Sequence, residues 1–328
     1  MNTLRKLRYL TFGTAIALAV AAPAAQSAET SKPVRIAFLA GQVGIPFYTT
    51  VQCGAEKAAK EFNVDLSWTG PPDWDISLQQ PFIDAALQTH PDGIVLSPTD
   101  GKALITQVKA LEDAGTPVVT IDAPLDEPVD SQNIQSNHYQ GGIAAANAMV
   151  QIVGDSGTFL VVGMRPGLPD IDARVKGFID TFKKEHPAAK LLPVAYPETS
   201  STKAAQQVAS AIQANPDLKG VYVTHSAAAA GASAAILEAG KQREIKLVSF
   251  DADPEQIRDL KQGIYDALIV QEPYAMGYNA VKSAAELARK QTTKATIKHD
   301  AFLPFVVVTR SNVGDKDVSQ YFYVSKCP

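Results

Sequence analysis

Residues 86–122 read ALQTHPDGIVLSPTDGKALITQVKALEDAGTPVVTID. Gly93–Ser97 is a short apolar run, Leu104–Ala114 carries its apolar residues at helical spacing, and Pro117–Ile121 is apolar again. Short β-branched runs alternating with longer helical segments predict parallel βαβ units. The run VVTI is continuously apolar, as a parallel strand covered on both faces should be. The rhythm extends upstream: Val34–Ala40 and Val64–Trp68 read as strands, Pro46–Phe62 and Leu78–Gln88 as helices. It also returns downstream, where residues 211–251 read AIQANPDLKGVYVTHSAAAAGASAAILEAGKQREIKLVSFD. ALQTHPD matches AIQANPD, ALEDAG matches ILEAG, and VVTID matches LVSFD. Asp92 and Asp217 lie 125 residues apart, Asp122 and Asp251 lie 129 apart, and one short insertion covers the difference. The expected fold class is therefore α/β, with two Rossmann-like lobes built on parallel sheets. In such open sheets ligands bind outside the carboxyl ends of the strands. Asp122 and Asp251 each stand at such an end, so two carboxylates would converge on one cleft if the lobes face each other. The plainer alternative is that each aspartate ends a strand or caps a helix.

The chain has 328 residues, 46% hydrophobic and 20% charged, enough to fold as two domains of ordinary size. Arg5, Lys6 and Arg8 precede an Ala-rich apolar run from Leu10 to Ala22, and Pro23-Ala24-Ala25-Gln26-Ser27-Ala28 follows. A cationic start, a short apolar run and a small-residue end predict a secretory signal over residues 1–28. The run is shorter than the ~20 residues that span a bilayer, so the expected mature protein is exported and periplasmic. The formal net charge is −4; without the signal, 27 basic residues face 34 acidic ones, a net charge of −7. An acidic body without a basic stripe argues against nucleic acid as a partner. With two cysteines, Cys53 and Cys327, a disulfide-dense scaffold and a multi-thiolate metal cluster are excluded. Export would permit these two to pair, although spacing alone does not show that they meet.

Enzyme signatures are missing. The five histidines show no metal-binding pair spacing, Gly41-Gln-Val-Gly44 is an incomplete dinucleotide fingerprint, and neither GxxxxGK[ST] nor GxSxG occurs. No catalytic residue, metal site or cofactor is expected. What stands out is polar groups at strand ends and aromatics at a helix start. Phe47 and Tyr48 follow Pro46, which suits a first helical turn. They read either as core packing or as a flat wall for the apolar C–H face of a sugar. Arg174, in IDARVKGF, is a fork of donors for hydroxyl oxygens that would bring a site with two aspartates near neutrality; alone it would read as a solvated surface residue. Gln271 follows the strand ALIV, and His225 ends the strand GVYVT. Trp68 and Trp74 bracket TGPPD, a loop at the cleft edge or a simple cap on the first lobe.

IPFY at 45–48, TID at 120–122, ARVKGF at 173–178, SFD at 249–251 and IVQEP at 269–273 together resemble the type I periplasmic solute-binding proteins of ABC transporters, in the ribose-binding-like sugar group. The likeness runs over about residues 33–312. It implies two lobes joined by a three-strand hinge near Gln135–Asn137, Gln271–Pro273 and Phe302–Pro304. The first lobe would comprise residues 29–136 and 272–302, the second 137–271 and 303–328. It implies a ligand set of Phe47, Tyr48, Asp122, Arg174, His225, Asp251 and Gln271, and a monomer that delivers sugar to a membrane permease. Four positions depart from the ribose pattern: Ile45 for Asn, Ala123 for a second Arg, Ser200 near an aromatic, and His225 for Asn. They shift the expected ligand from ribose toward another pentose, a deoxy or branched sugar, or a polyol. An alternative on the same fold is binding of the furanose autoinducer-2, which GQVGIPFY and TGPPD also resemble, although Gly41 stands where a lysine is expected.

Overall fold

The structure, a computed structural model, describes residues 32–327. The expected signal over 1–28 lies outside them. In chain order the first part folds as β1 (Val34–Leu39), α1 (Pro46–Glu61), β2 (Val64–Thr69), α2 (Ile76–Leu87), β3 (Gly93–Leu96), α3 (Ile105–Asp113), β4 (Val118–Ile121) and β5 (Gln132–Ser136). Then come α4 (His138–Val153), β6 (Gly157–Val162), α5 (Pro169–Glu185), β7 (Ala189–Leu191), α6 (Ser201–Ala214), β8 (Leu218–Val223), α7 (Ser226–Glu238), β9 (Lys246–Phe250), α8 (Pro254–Gln262) and β10 (Ala267–Val270). The chain ends with α9 (Pro273–Ala288), β11 (Asp300–Leu303), β12 (Val306–Thr309) and α10 (Lys316–Ser319).

Two six-stranded sheets result, ordered β2-β1-β3-β4-β5-β11 and β7-β6-β8-β9-β10-β12. All pairs in the first sheet are parallel, and in the second only β12 runs antiparallel, to β10. Each strand of the first sheet has its counterpart at the same place in the second, so the sequence repeat is a repeat of topology. β3, β4, β8 (apart from Lys219) and β10 are buried along their length, which is why they read as unbroken apolar runs.

The chain passes between the sheets three times: from β5 to α4, from β10 to α9, and from β11 to β12. Helix α9 returns to pack on α1 and on β1, β3, β4 and β5. Proline occupies the first turn of α1, α5, α8 and α9, where its missing N–H costs nothing and its fixed φ suits the helix. Among the described residues no helix is long and apolar enough to cross a membrane.

Candidate functional site

All seven residues of the expected set, Phe47, Tyr48, Asp122, Arg174, His225, Asp251 and Gln271, line one cavity of about 370 Å³. That is within the ~300–1,000 Å³ usual for small-molecule sites. Its walls come from residues at or beyond the carboxyl ends of β1, β2, β4, β6, β7, β8, β9 and β10, as an open parallel sheet dictates.

Asp122 directly follows β4, and Asp251 directly follows its counterpart β9. Both have left-handed backbone, with φ +64° and +77°. The Asp122 N–H donates to the Ile134 carbonyl (3.1 Å) and the Asp251 N–H to the Ile269 carbonyl (3.0 Å). The two aspartates are thus equivalent in topology, conformation and main-chain bonding. Such a conformation costs a non-glycine residue of order 1–3 kcal/mol and persists where the surroundings impose it.

Phe47 and Tyr48 are 7% and 2% exposed, so core packing and cavity lining are one role here rather than two. Tyr48 donates its hydroxyl to Asp122 Oδ2 (2.8 Å) and accepts from Ser97 Oγ (2.6 Å). Its ring lies 6.2 Å from that of Trp74, tilted by 31°, and Trp74 joins the lining. Gly41 makes this wall possible: a Cβ there would meet the Trp74 ring at 2.2 Å and the Tyr48 hydroxyl at 2.7 Å.

Arg174 is 3% exposed. It donates from Nη1 to the Thr224 carbonyl (2.7 Å) and from Nε to His138 Nδ1 (3.2 Å), and its guanidinium stacks on Phe250 at 4.2 Å. Because His138 Nδ1 accepts, Nε2 carries the proton and donates to the Asp122 carbonyl (2.9 Å). Burial and the Arg174 charge push His138 down to about 3, so the ring is neutral. His138 at the start of α4 therefore couples the arginine of one sheet to the aspartate of the other. Nothing local in the sequence marks it.

A third carboxylate, Asp170, stands one helical turn before Arg174 on α5, its Oδ2 4.0 Å from Nη2. The i, i+4 spacing of Asp170 and Arg174 was a usable sequence signal. The charge balance expected from two aspartates and one arginine is thus shifted: three carboxylates face one guanidinium. Burial raises Asp122 to about 7, Asp170 adding and Arg174 opposing. Burial also raises Asp170, against Arg174. Burial disfavours charge on Arg174 itself, but Asp170, Asp251 and Asp122 outweigh it.

Asp251 accepts from the Ser226 N–H at Oδ2 (3.0 Å), and from Gln271 Nε2 (3.2 Å) and the Tyr323 hydroxyl (3.2 Å) at Oδ1. His225 donates from Nε2 to the Glu198 carbonyl (3.2 Å), and burial, with Arg174 adding, lowers it to about 4. It presents a neutral ring to the cavity. Three buried lining atoms lack a hydrogen-bond partner in the protein: the donor Trp74 Nε1 and the acceptors Asp170 Oδ1 and Gln271 Oε1. Buried polar groups are nearly always satisfied, and among the described residues the same lack of a partner is found at six buried atoms away from the lining, Asn133 Oδ1 and Ser136 Oγ among them. Among the described residues no group of three or more His, Cys, Asp or Glu could hold a metal ion.

The sequence model of the family described as periplasmic binding protein domain matches residues 36–292. A solute-binding protein of an ABC transporter from Agrobacterium vitis, solved with α-D-tagatopyranose, is 31% identical; it superposes with a TM-score of 0.84 over 89% of this chain and 99% of that one. The D-apiose import binding protein of Actinobacillus succinogenes is 27% identical over 76% of this chain and 80% of its own length. The ribose import binding protein of Bacillus subtilis is 24% identical over 77% and 81%.

Proposed function

The chain belongs to the periplasmic binding protein family, and on that premise we propose that it is the sugar-binding component of an ABC importer. Its ligand is a neutral monosaccharide: a pentose, a deoxy or branched sugar, or a polyol. The observation that carries this is a single cavity lined on one side by Phe47, Tyr48 and Trp74 and elsewhere by the polar groups of Asp122, Asp170, Arg174, Asp251 and Gln271. A sugar offers hydroxyls that both donate and accept, and a C–H face that lies on aromatic rings. Three carboxylates against one arginine disfavour an anionic ligand such as a sugar acid or phosphate.

The lobes are assigned as 29–136 with 272–302 and 137–271 with 303–328, and the three chain crossings between the sheets act as the hinge. Open and closed arrangements interconvert, and ligand favours the closed one because only there do both walls touch it. An unmatched hydroxyl left buried costs ~1–3 kcal/mol, which supplies selectivity. Affinity is then micromolar or better, about −8 kcal/mol. The chain is exported by the signal at 1–28, works in the periplasm as a monomer, and presents its closed form to a membrane permease. Autoinducer-2 fits less well. A lysine at position 41 would run its Cβ into Trp74.

Thermal shift against pentoses, hexoses, deoxysugars and polyols tests the ligand class. The expected result is stabilisation by one or a few neutral sugars without turnover. A chain stabilised by none of them, or one that converts them, ends the sugar reading.

A further inference from the structure

The last eight described residues leave α10 and cross from one half of the site to the other. Tyr323 bonds to the second half: its N–H donates to the Ala252 carbonyl (3.1 Å) and its hydroxyl to Asp251 Oδ1 (3.2 Å). One residue later, the Val324 N–H donates to Thr50 Oγ1 (2.8 Å) on α1, which belongs with the first sheet. Cys327 is disulfide-bonded to Cys53, also on α1. The Tyr323 ring is 3% exposed and meets Phe47 edge-on at 5.5 Å. One side chain therefore touches the aromatic wall from α1 and the carboxylate after β9. Burial, with Asp251 adding, raises Tyr323 far above its ordinary value, so it remains an O–H donor throughout the physiological range.

We propose that the C-terminal segment is a strap, fastened to α1 by the Cys53–Cys327 bond, that limits how far the two halves separate and positions Asp251 through Tyr323. The strap is a fourth connection besides the three chain crossings, closed by a disulfide to the opposite half. Tyr323 is a positioning residue. It is not among the residues lining the cavity, and it acts by holding the Asp251 carboxylate that lines it. Its part in affinity rests on the sugar reading; the limit on separation does not.

Small-angle scattering on the full chain without sugar compares the disulfide form with the double variant Cys53→Ser/Cys327→Ser. The expected result is a larger radius of gyration in the variant, and superimposable curves overturn the strap. Titration calorimetry with D-apiose, D-tagatose, D-ribose and xylitol then compares the native chain with Tyr323→Phe, which keeps the ring against Phe47 and removes the donor. The expected result is about tenfold weaker binding, with a fall of no more than a few degrees in the sugar-free melting temperature from the lost buried bond. Binding within twofold of the native chain overturns the positioning role. If the native chain binds none of the four, the positioning of Asp251 for these ligands is overturned, the wider thermal-shift panel decides the ligand class, and the scattering comparison still decides the strap.

Discussion

Asp122 and Asp251 share a left-handed backbone that few residue types accept, and aspartate is among those few. Asparagine is another, so Asp122→Asn keeps the backbone and an oxygen for the Tyr48 hydroxyl while removing the charge. The Asp122 carboxyl is raised from the ordinary range to about 7. Between about pH 4 and 7 the folded state then holds a proton that the unfolded state has lost, and stability drains away as pH rises through that window. Asp122→Asn should therefore gain stability relative to the native chain on going from pH 5 to pH 8, by ~1–3 kcal/mol. The same change should weaken sugar binding tenfold or more. Thermal unfolding at the two pH values, paired with calorimetry, checks both halves, and a variant that loses stability at pH 8 refutes the first. Arg174 is different. Its bonds to Thr224 and His138 and its stack on Phe250 make it structural as well as ligand-facing. Arg174→Ala should lower sugar-free stability by about 3 kcal/mol, because a buried partner is removed. The loss should grow with pH as Asp122 and Asp170, both raised by burial, ionise, which unfolding across pH 5–8 would reveal. The strand-end aspartates were legible because each closes an apolar run. His138 was not, because its partners come from residues 16 and 36 positions away in the chain.

Helix pairs explain how those side chains stay in register. In the α4–α5 pair, a Cβ on Gly142 would lie 2.2 Å from the Arg174 carbonyl, and one on Gly177 would lie 2.2 Å from the Tyr139 carbonyl. In the α1–α9 pair, Gly54 and Gly277 do the same at 2.0 Å and 1.9 Å from Tyr274 and Val51 carbonyls. Backbone meets backbone at these crossings, so a methyl group can be admitted only by moving a helix. Gly142→Ala should push α5 and carry Arg174 with it. Overpacking of ~1–3 kcal/mol opposes a helix-propensity gain of up to ~1 kcal/mol, so the net effect is loss of stability together with weaker sugar binding. Gly314→Ala, with open space around its Cβ, should leave binding unchanged. Equal calorimetric affinities for the two variants would contradict the register argument. Most strands legible in the sequence are runs apolar on both faces, with the alternating β2 beside them; β5 was not legible. QNIQS is buried but polar: Asn133 donates to Thr120 Oγ1, and Gln132 accepts from Ser283. Hydrogen bonds to distant residues hold that strand in part, with Asn133 Oδ1 and Ser136 Oγ left unpartnered, and periodicity cannot see such bonds.

At the scale of the molecule, the sequence repeat and the matched strand orders describe the same event. The motif order alone was enough to expect a site between the two copies. The closing of the chain on itself was not readable in that way. The positions of Cys53 and Cys327 left their pairing open, because whether two residues 274 apart meet depends on every element between them. Once they are joined, nearly the whole fold becomes a ring. An unfolded ring has fewer conformations than an unfolded open chain, so the bond stabilises the folded state chiefly by raising the free energy of the unfolded one. For a loop of this length the effect falls at the upper part of the usual range, about 2–5 kcal/mol. Reduction should therefore lower the melting temperature of the sugar-free chain by several degrees. The change should also be entropic in origin: since the ring constrains mainly the unfolded chain, most native contacts survive its opening. Calorimetry with and without reductant measures the shift. Coincident transitions would mean that the unfolded chain gains no freedom when the bond opens, contrary to the ring argument.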